Sequence, residues 1–133
     1  MALRFFCPGC WMEIGEKADR CPQCGYALKD FQGLSYEKKL LMALHHPLRE
    51  NRMMAIRILG NLASQATVSA LGDLLACEKD YYVIREIIGS LLKIGGTEAI
   101  QRIERLQGHP SEMVRKLVKM ALRGRTSKQG HEG

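Results

Sequence analysis

At 133 residues the chain has room for one domain, or for a small domain beside a modest one, and its 46% apolar content is enough for a packed core. Aromatics supply only 6%, so Leu, Ile, Met and Ala must fill most of that core. A formal charge of +6 permits an acidic partner without requiring one, and no apolar run approaches the roughly 18 residues of a membrane span.

The chain opens as MALRFF and reaches Cys7 at once, which leaves no room for a signal-peptide core. The expectation is a cytoplasmic protein in a reducing compartment, where paired cysteines favour metal over disulfides. Residues 1–30 form a unit of their own. Cys7-Pro8-Gly9-Cys10 and Cys21-Pro22-Gln23-Cys24-Gly25 are two knuckles ten residues apart. A tight turn aims both thiolates of a pair at one ion, with proline presetting a backbone angle and Gly25 free to take a positive φ. Cys7, Cys10, Cys21 and Cys24 therefore make a closed tetrahedral shell for one structural zinc, with no position left for a reactive water. Four thiolates on zinc lower the net charge to about +4. Structural zinc contributes about 10–16 kcal/mol in small peptides. Phe5, Phe6 and Tyr26 cannot match that by burial in a piece of this size. The bland alternative is free thiols.

The pattern FCPGCWMEIGEKADRCPQCGYAL resembles, over about residues 5–28, the short zinc-ribbon modules at the ends of many bacterial and archaeal proteins. The resemblance implies a small β ribbon on one zinc. A rubredoxin-like iron site is the smaller alternative, disfavoured because the pairs sit closer together than in rubredoxins. Those ribbons usually carry Gly after the second cysteine, whereas this chain has Trp11. A bulky residue resists positive φ, so a less regular first knuckle is expected. Trp11 is expected instead to cover the cluster or to dock the ribbon on the helices.

Residues 29–34 read as a junction. Ser35 is placed to cap a helix running to His45, with Leu40, Leu41 and Leu44 on one face, and His46-Pro47 stops it. From there the chain repeats. Asn51-Arg52, Val83-Ile84 and Val114-Arg115 fall in register at steps of 32 and 31 residues. Ala55, Ile87 and Val118 then align, as do Leu59, Leu91 and Leu122. Behind the first copy, Leu62, Val68, Leu71 and Leu74 match Ile94, Ile100, Ile103 and Leu106. His46-Pro47 and His109-Pro110 stand 63 residues apart. Asp80 and Ser111 occupy N-cap places, and Leu48 fills that place weakly in the first copy. The predicted helices are 35–45, 48–62, 65–76, 81–94, 97–107 and 111–123. The central one, Asp80–Gly95, is apolar over so wide an arc that it must be covered on more than one side.

The motif xRxxAxxILGxLA and its successors are similar, over about residues 35–124, to HEAT-like repeats of the phycobilisome-lyase type. That resemblance implies a mainly α fold, a short right-handed α-solenoid of helical hairpins over 35–124, behind the small β ribbon of 1–30; the tail, 125–133, lacks apolar residues and is expected to be mobile. The resemblance also implies first helices on the outer surface and second helices lining a groove. Arg52 and Arg115 hold the family's arginine position, but the central copy has Ile84 there, with Arg85 next to it.

No nucleophile–base set, phosphate loop or paired-carboxylate motif is present in the sequence, so the expected function is non-enzymatic: a protein–protein interaction or scaffold module. The alternative is nucleic-acid binding by the ribbon and the basic C-terminal helix. That helix groups Arg115, Lys116, Lys119 and Arg123, with Arg125, as candidate contacts for phosphates or an acidic protein. The groove lacks the continuous positive stripe a DNA site needs, so nucleic acid is not favoured. His45, His46 and His109 are expected to meet helix-end carbonyls. Cys77 is expected to be a half-buried thiol. Of Tyr81 and Tyr82, one is expected to pack and the other to face solvent. Exposed repeat ends associate, so the C-terminal repeat is expected to pair with a second copy or a partner.

Overall fold

The computed structural model describes residues 5–132, with side chains described as far as Gly124. A two-stranded antiparallel sheet comes first, β1 (Phe5–Phe6) on β2 (Glu13–Ile14), with Phe5 opposite Ile14 and Phe6 opposite Glu13. A short helix, α1 (Leu28–Gln32), fills the stretch expected to be a bare junction. Then come α2 (Tyr36–Ala43), α3 (Arg49–Leu62), α4 (Val68–Cys77), α5 (Tyr81–Ile94), α6 (Thr97–Glu104) and α7 (Glu112–Glu132). Single 3₁₀ turns, Gln65–Thr67 and Arg105–Gly108, lead into α4 and out of α6.

The local chemistry places these boundaries. Ser35 Oγ accepts from Lys38 N at 3.2 Å, Asp80 Oδ1 from Tyr82 N at 2.9 Å, and Ser111 Oγ from Val114 N at 3.4 Å. Each is an N-cap satisfying a donor that the first helical turn leaves free. Leu48 offers no such cap, as expected. Helix α3 ends on Ala63 at φ 54°, and α5 ends one repeat later on Gly95 at φ 74°. Both exits have positive φ, but the alanine sits in the left-handed helical region at ψ 35° while the glycine is extended at ψ −171°, a conformation open to glycine. The last helix differs from expectation: its backbone stays helical to Glu132, beyond the predicted end at residue 123. Residues 124–132 contain no proline to stop it. The tail expected to be mobile, 125–133, lies outside the residues whose side chains are described.

Helices α3, α5 and α7 pack side by side in one layer, and α4 and α6 form a second layer across from them. A single core runs between the layers. Its fully buried members include Ile56, Leu59, Val68, Leu71, Val83, Ile84, Ile87, Ile88, Leu91, Ile103 and Val118. The central helix α5 is buried on the wide arc its sequence demanded, because α3, α4, α6 and α7 all lie against it.

Polar ties cross from the first copy to the second. Arg49 meets Asp80 at 3.2 Å, Arg57 meets Glu86 at 2.7 Å, Lys93 donates to Asn61 at 2.9 Å and Arg102 meets Asp73 at 2.9 Å. Gln65 Nε2 donates to the carbonyls of Ile94 and Gly95 at 3.3 and 3.0 Å, binding one repeat's turn to the other's. Buried Ser90 donates to the Ile56 carbonyl at 2.7 Å, which ties α5 to α3 at their closest approach.

Candidate metal centre and helical interaction surface

The two knuckles are copies of one device, displaced by 14 residues. Gly9 N donates to Cys7 Sγ, and Gln23 N to Cys21 Sγ, each at 3.3 Å. Trp11 N closes the first turn on Cys7 O at 2.6 Å, as Gly25 N closes the second on Cys21 O at 2.9 Å. Cys7 N then bonds Met12 O at 2.9 Å, and Cys21 N bonds Tyr26 O at 3.0 Å. To make the same turn, Trp11 adopts φ 63°, the left-handed conformation that Gly25 takes at 79°. The expectation of a less regular first knuckle is therefore corrected. The turn fixes the backbone, and the tryptophan carries a strain of order 1 kcal/mol.

All four Sγ atoms lie within 4.8 Å of one another, with Cys7 to Cys24 and Cys10 to Cys21 both at 3.6 Å. Four sulfurs at about 2.3 Å from a tetrahedral ion would stand about 3.8 Å apart, so this donor set fits such an ion. Cys7 and Cys21 are buried and Cys24 is exposed. The Cys21 thiol is lowered to about 6. The Cys24 N–H is the largest cause, burial opposes it, and the Gln23 N–H adds to it. Burial pushes the Cys7 thiol up. One thiolate is thus readily formed, while the close approach of four resists full ionisation unless a cation shares the site.

The ribbon is seated on the stack through His46. Its ring lies 5.0 Å from Phe6, edge-on, and 4.9 Å from Trp11 at a tilt of 54°. Trp11 thus does dock the ribbon on the helices. The imidazole also works on the helical side, where its Nδ1 accepts from Leu48 N at 3.1 Å, one residue before α3. Arg52 donates to the carbonyls of His46 and Pro47 at 2.9 and 3.1 Å. The same arrangement recurs before α7: Ser111 N donates to His109 Nδ1 at 3.0 Å, and Arg115 donates to His109 O and Pro110 O at 2.6 and 3.0 Å. His46 and His109 therefore accept from the N–H groups that start the next helix. The expectation that these two meet the carbonyls ending the previous helix is thereby corrected. The His-Pro turn doubles back far enough to bring those donors within reach. Between the ribbon and α1–α2 lies a cleft of about 450 Å³, walled by Phe5, Phe6, Trp11 and Phe31, with Lys39 Nζ 5.5 Å over the Phe31 ring.

Residues 37–123 match the model of the HEAT repeats. The chain belongs to the HEAT-repeat family. No curated protein matches it. The HEAT repeats account for the layered helices, and the ribbon lies ahead of the matched residues.

Within the HEAT repeats, the paired arginines are structural. Arg52 and Arg115 hold their turns together, and Ile84, at the central position, is buried. Its turn is held instead by Glu78 and Asp80, which accept from the backbone N–H groups around it. Lys116 pairs with Glu112 at 3.5 Å, both side chains largely exposed. Lys119 and Arg123 are exposed and make no ion pair among the described residues. Tyr81 packs on the core, while Tyr82 is 53% exposed with Arg49 and Arg85 about its ring at 5.9 and 5.8 Å. Cys77 is exposed, against expectation, since it falls on the outer side of the last turn of α4. Among the described residues no helix is long and apolar enough to cross a membrane.

Sequence reasoning missed His46 as the joint between ribbon and stack, and it missed the Gly60–Ser90 approach. The second could have been found: glycine in the first copy and serine in the second are small residues at neighbouring helical positions.

Proposed function

We propose that this HEAT-repeat protein is a non-enzymatic interaction module, a scaffold that presents its stacked helices to another protein, with one structural zinc holding the ribbon. The observation that carries this reading is the pairing of a repeat-built helical surface with a four-thiol centre whose donors would fill a tetrahedral ion. Such an ion keeps no position for substrate or water. Zinc is favoured over iron by the short interval between the knuckles and by the resemblance of residues 5–28 to zinc ribbons. A reducing, cytoplasmic setting would keep the four thiols available. The arginines at Arg52 and Arg115 support placing these repeats with the phycobilisome-lyase type.

Two measurements test the proposal together. Metal analysis of the purified protein should return one zinc per chain, with no visible absorption from an iron–thiolate centre. Cross-linking in the native cell should recover a defined protein bound to the helical part. Turnover of a small molecule at the thiol centre, or a red iron-loaded protein, would overturn it.

A further inference from the structure

The three copies differ at one position of the face that looks toward the next repeat. On α3 that face receives α5: Ser90 bonds the Ile56 carbonyl, and Gly60 lies under Ser90. Following two positions of this face through the copies gives Ile56, Ile88, Lys119 and Gly60, Leu92, Arg123. A third, Met53, Arg85, Lys116, is already charged and exposed in the second copy, where Leu92 is also 36% exposed, so the Ile56–Ile88–Lys119 position is the one that sets α7 apart. Ile56 and Ile88 are buried, whereas Lys119 stands exposed in the place they define. The forward face of α7 is therefore not built to receive another apolar helix. It carries Lys116, Lys119 and Arg123, with Met120 at 69% and Met113 at 60% exposure beside them. Glu112 is the lone acid among the described side chains of this helix.

We propose that this face of α7 is a docking surface for an acidic protein segment, its carboxylates meeting Lys116, Lys119 and Arg123 and its apolar side chains lying on Met113 and Met120. This deepens the scaffold reading and rests on it. Arg115 is excluded from the contact set, because its guanidinium is held by the His109 and Pro110 carbonyls, whereas the Lys116–Glu112 pair at 3.5 Å is exposed on both sides and weak enough to give way to a partner's carboxylate. Charge selects the occupant. A second copy docked about a two-fold axis would set the same cations against themselves, which is repulsive. Among the described residues this face sets two exposed methionines beside its three cations, and methionines offer phosphates nothing, so an acidic protein segment is favoured over a nucleic-acid backbone. The apolar arc of α7, Val114 and Val118 with Leu117 beside them, is spent inside the stack, so too little remains to enter a bilayer. Methionine on an exposed helix suits a partner whose apolar side chains vary in shape.

The test uses the zinc-loaded full chain and fluorescence anisotropy with four probes. These are a synthetic amphipathic peptide of Glu and Leu, its Lys and Leu counterpart, vesicles of phosphatidylglycerol, and a short DNA duplex. The wild type should bind the Glu peptide at physiological salt in preference to the others. The combined Lys116→Glu, Lys119→Glu, Arg123→Glu variant should lose affinity for it by about tenfold or more and gain affinity for the Lys peptide. Arg105→Glu, after α6, should leave binding of the Glu peptide unchanged. Circular dichroism confirms that each variant is folded. Equal binding of the Glu peptide by wild type and triple variant would overturn the proposal, as would preference for vesicles or DNA, or no binding at all. Native-cell cross-linking separates the two levels. A protein still recovered by the triple variant would sink the α7 surface and spare the scaffold reading. Its absence from the wild type as well would sink both.

Discussion

Gly60 lies directly against Ser90: a methyl group placed on Gly60 would stand 2.5 Å from Ser90 Oγ and 2.8 Å from its Cα. One of those atoms is backbone, so no rotamer change relieves the clash. Gly60→Ala should push α3 and α5 apart, stretch the Ser90–Ile56 hydrogen bond and cost about 1–3 kcal/mol. Gly89, on α5, has nothing within 4 Å of the same added atom. Gly89→Ala should instead stabilise by about 0.5–1 kcal/mol through helix propensity. Urea unfolding of the two variants reads the opposite signs directly.

Removing a thiolate should separate the ribbon from the stack. Cys21→Ser is expected to release the metal and unfold the ribbon while most helical signal survives, because none of the four ligands lies in α2–α7. Trp11 is the chain's one tryptophan and sits between knuckle and His46. Its emission should shift to the red on chelation, before the helices melt. Simultaneous loss of helicity by circular dichroism would show that the ribbon is needed for the stack to stand.

His46 gives the protein a pH dependence. Burial first, and the charge of Arg52 second, hold its imidazole below the usual 6.5. A depressed base means the unfolded chain binds the proton more readily, so stability is complete above 6.5 and falls as the pH drops toward the folded value. His46→Asn keeps an oxygen able to accept from Leu48 N but has no proton to gain there. The stability gap between wild type and His46→Asn should narrow on acidification from pH 7 toward 5. Thermal melts in a pH series test this.

Asp80 titrates in the opposite sense. Burial would raise its carboxyl, but the Arg49 hydrogen bond and the N–H groups of Tyr82 and Val83 outweigh it and hold the group below 3.8. Its contribution is present above 3.8 and is lost as the pH falls through the lowered folded value. Asp80→Ala should cost about 1 kcal/mol, mostly as a lost cap, since an exposed pair with arginine adds little. The cost should disappear in strong acid, as followed by urea midpoints.

The helical pairs were legible because the same apolar positions recur at steps of 32 and 31, and those positions are the buried ones, from Ala55 through Ile87 to Val118. The thiol cluster was legible for a similar reason: spacing within a knuckle leaves little freedom. The rest depended on how the chain folds back. Trp11 in a left-handed turn looks unfavourable alone and becomes tolerable only once the cysteines fix the backbone around it. Whether His46 meets a carbonyl or an N–H is decided by the path of the turn, which no spacing encodes. The ties from Arg49 to Asp80 and from Arg57 to Glu86 are opposite charges about one step apart, and the register already contained them.

The cross-repeat ties reach no further along the chain than the 34 residues between Ile56 and Ser90, and the two close sulfur pairs span 17 and 11. The Phe6–His46 joint between ribbon and stack spans 40 residues, so these contacts too are made with a recently synthesised neighbour. Such a chain can acquire its structure in the order in which it leaves the ribosome, ribbon first, with each completed helix as the template for the next. Fast, vectorial folding with little waiting time for distant partners is what this topology confers.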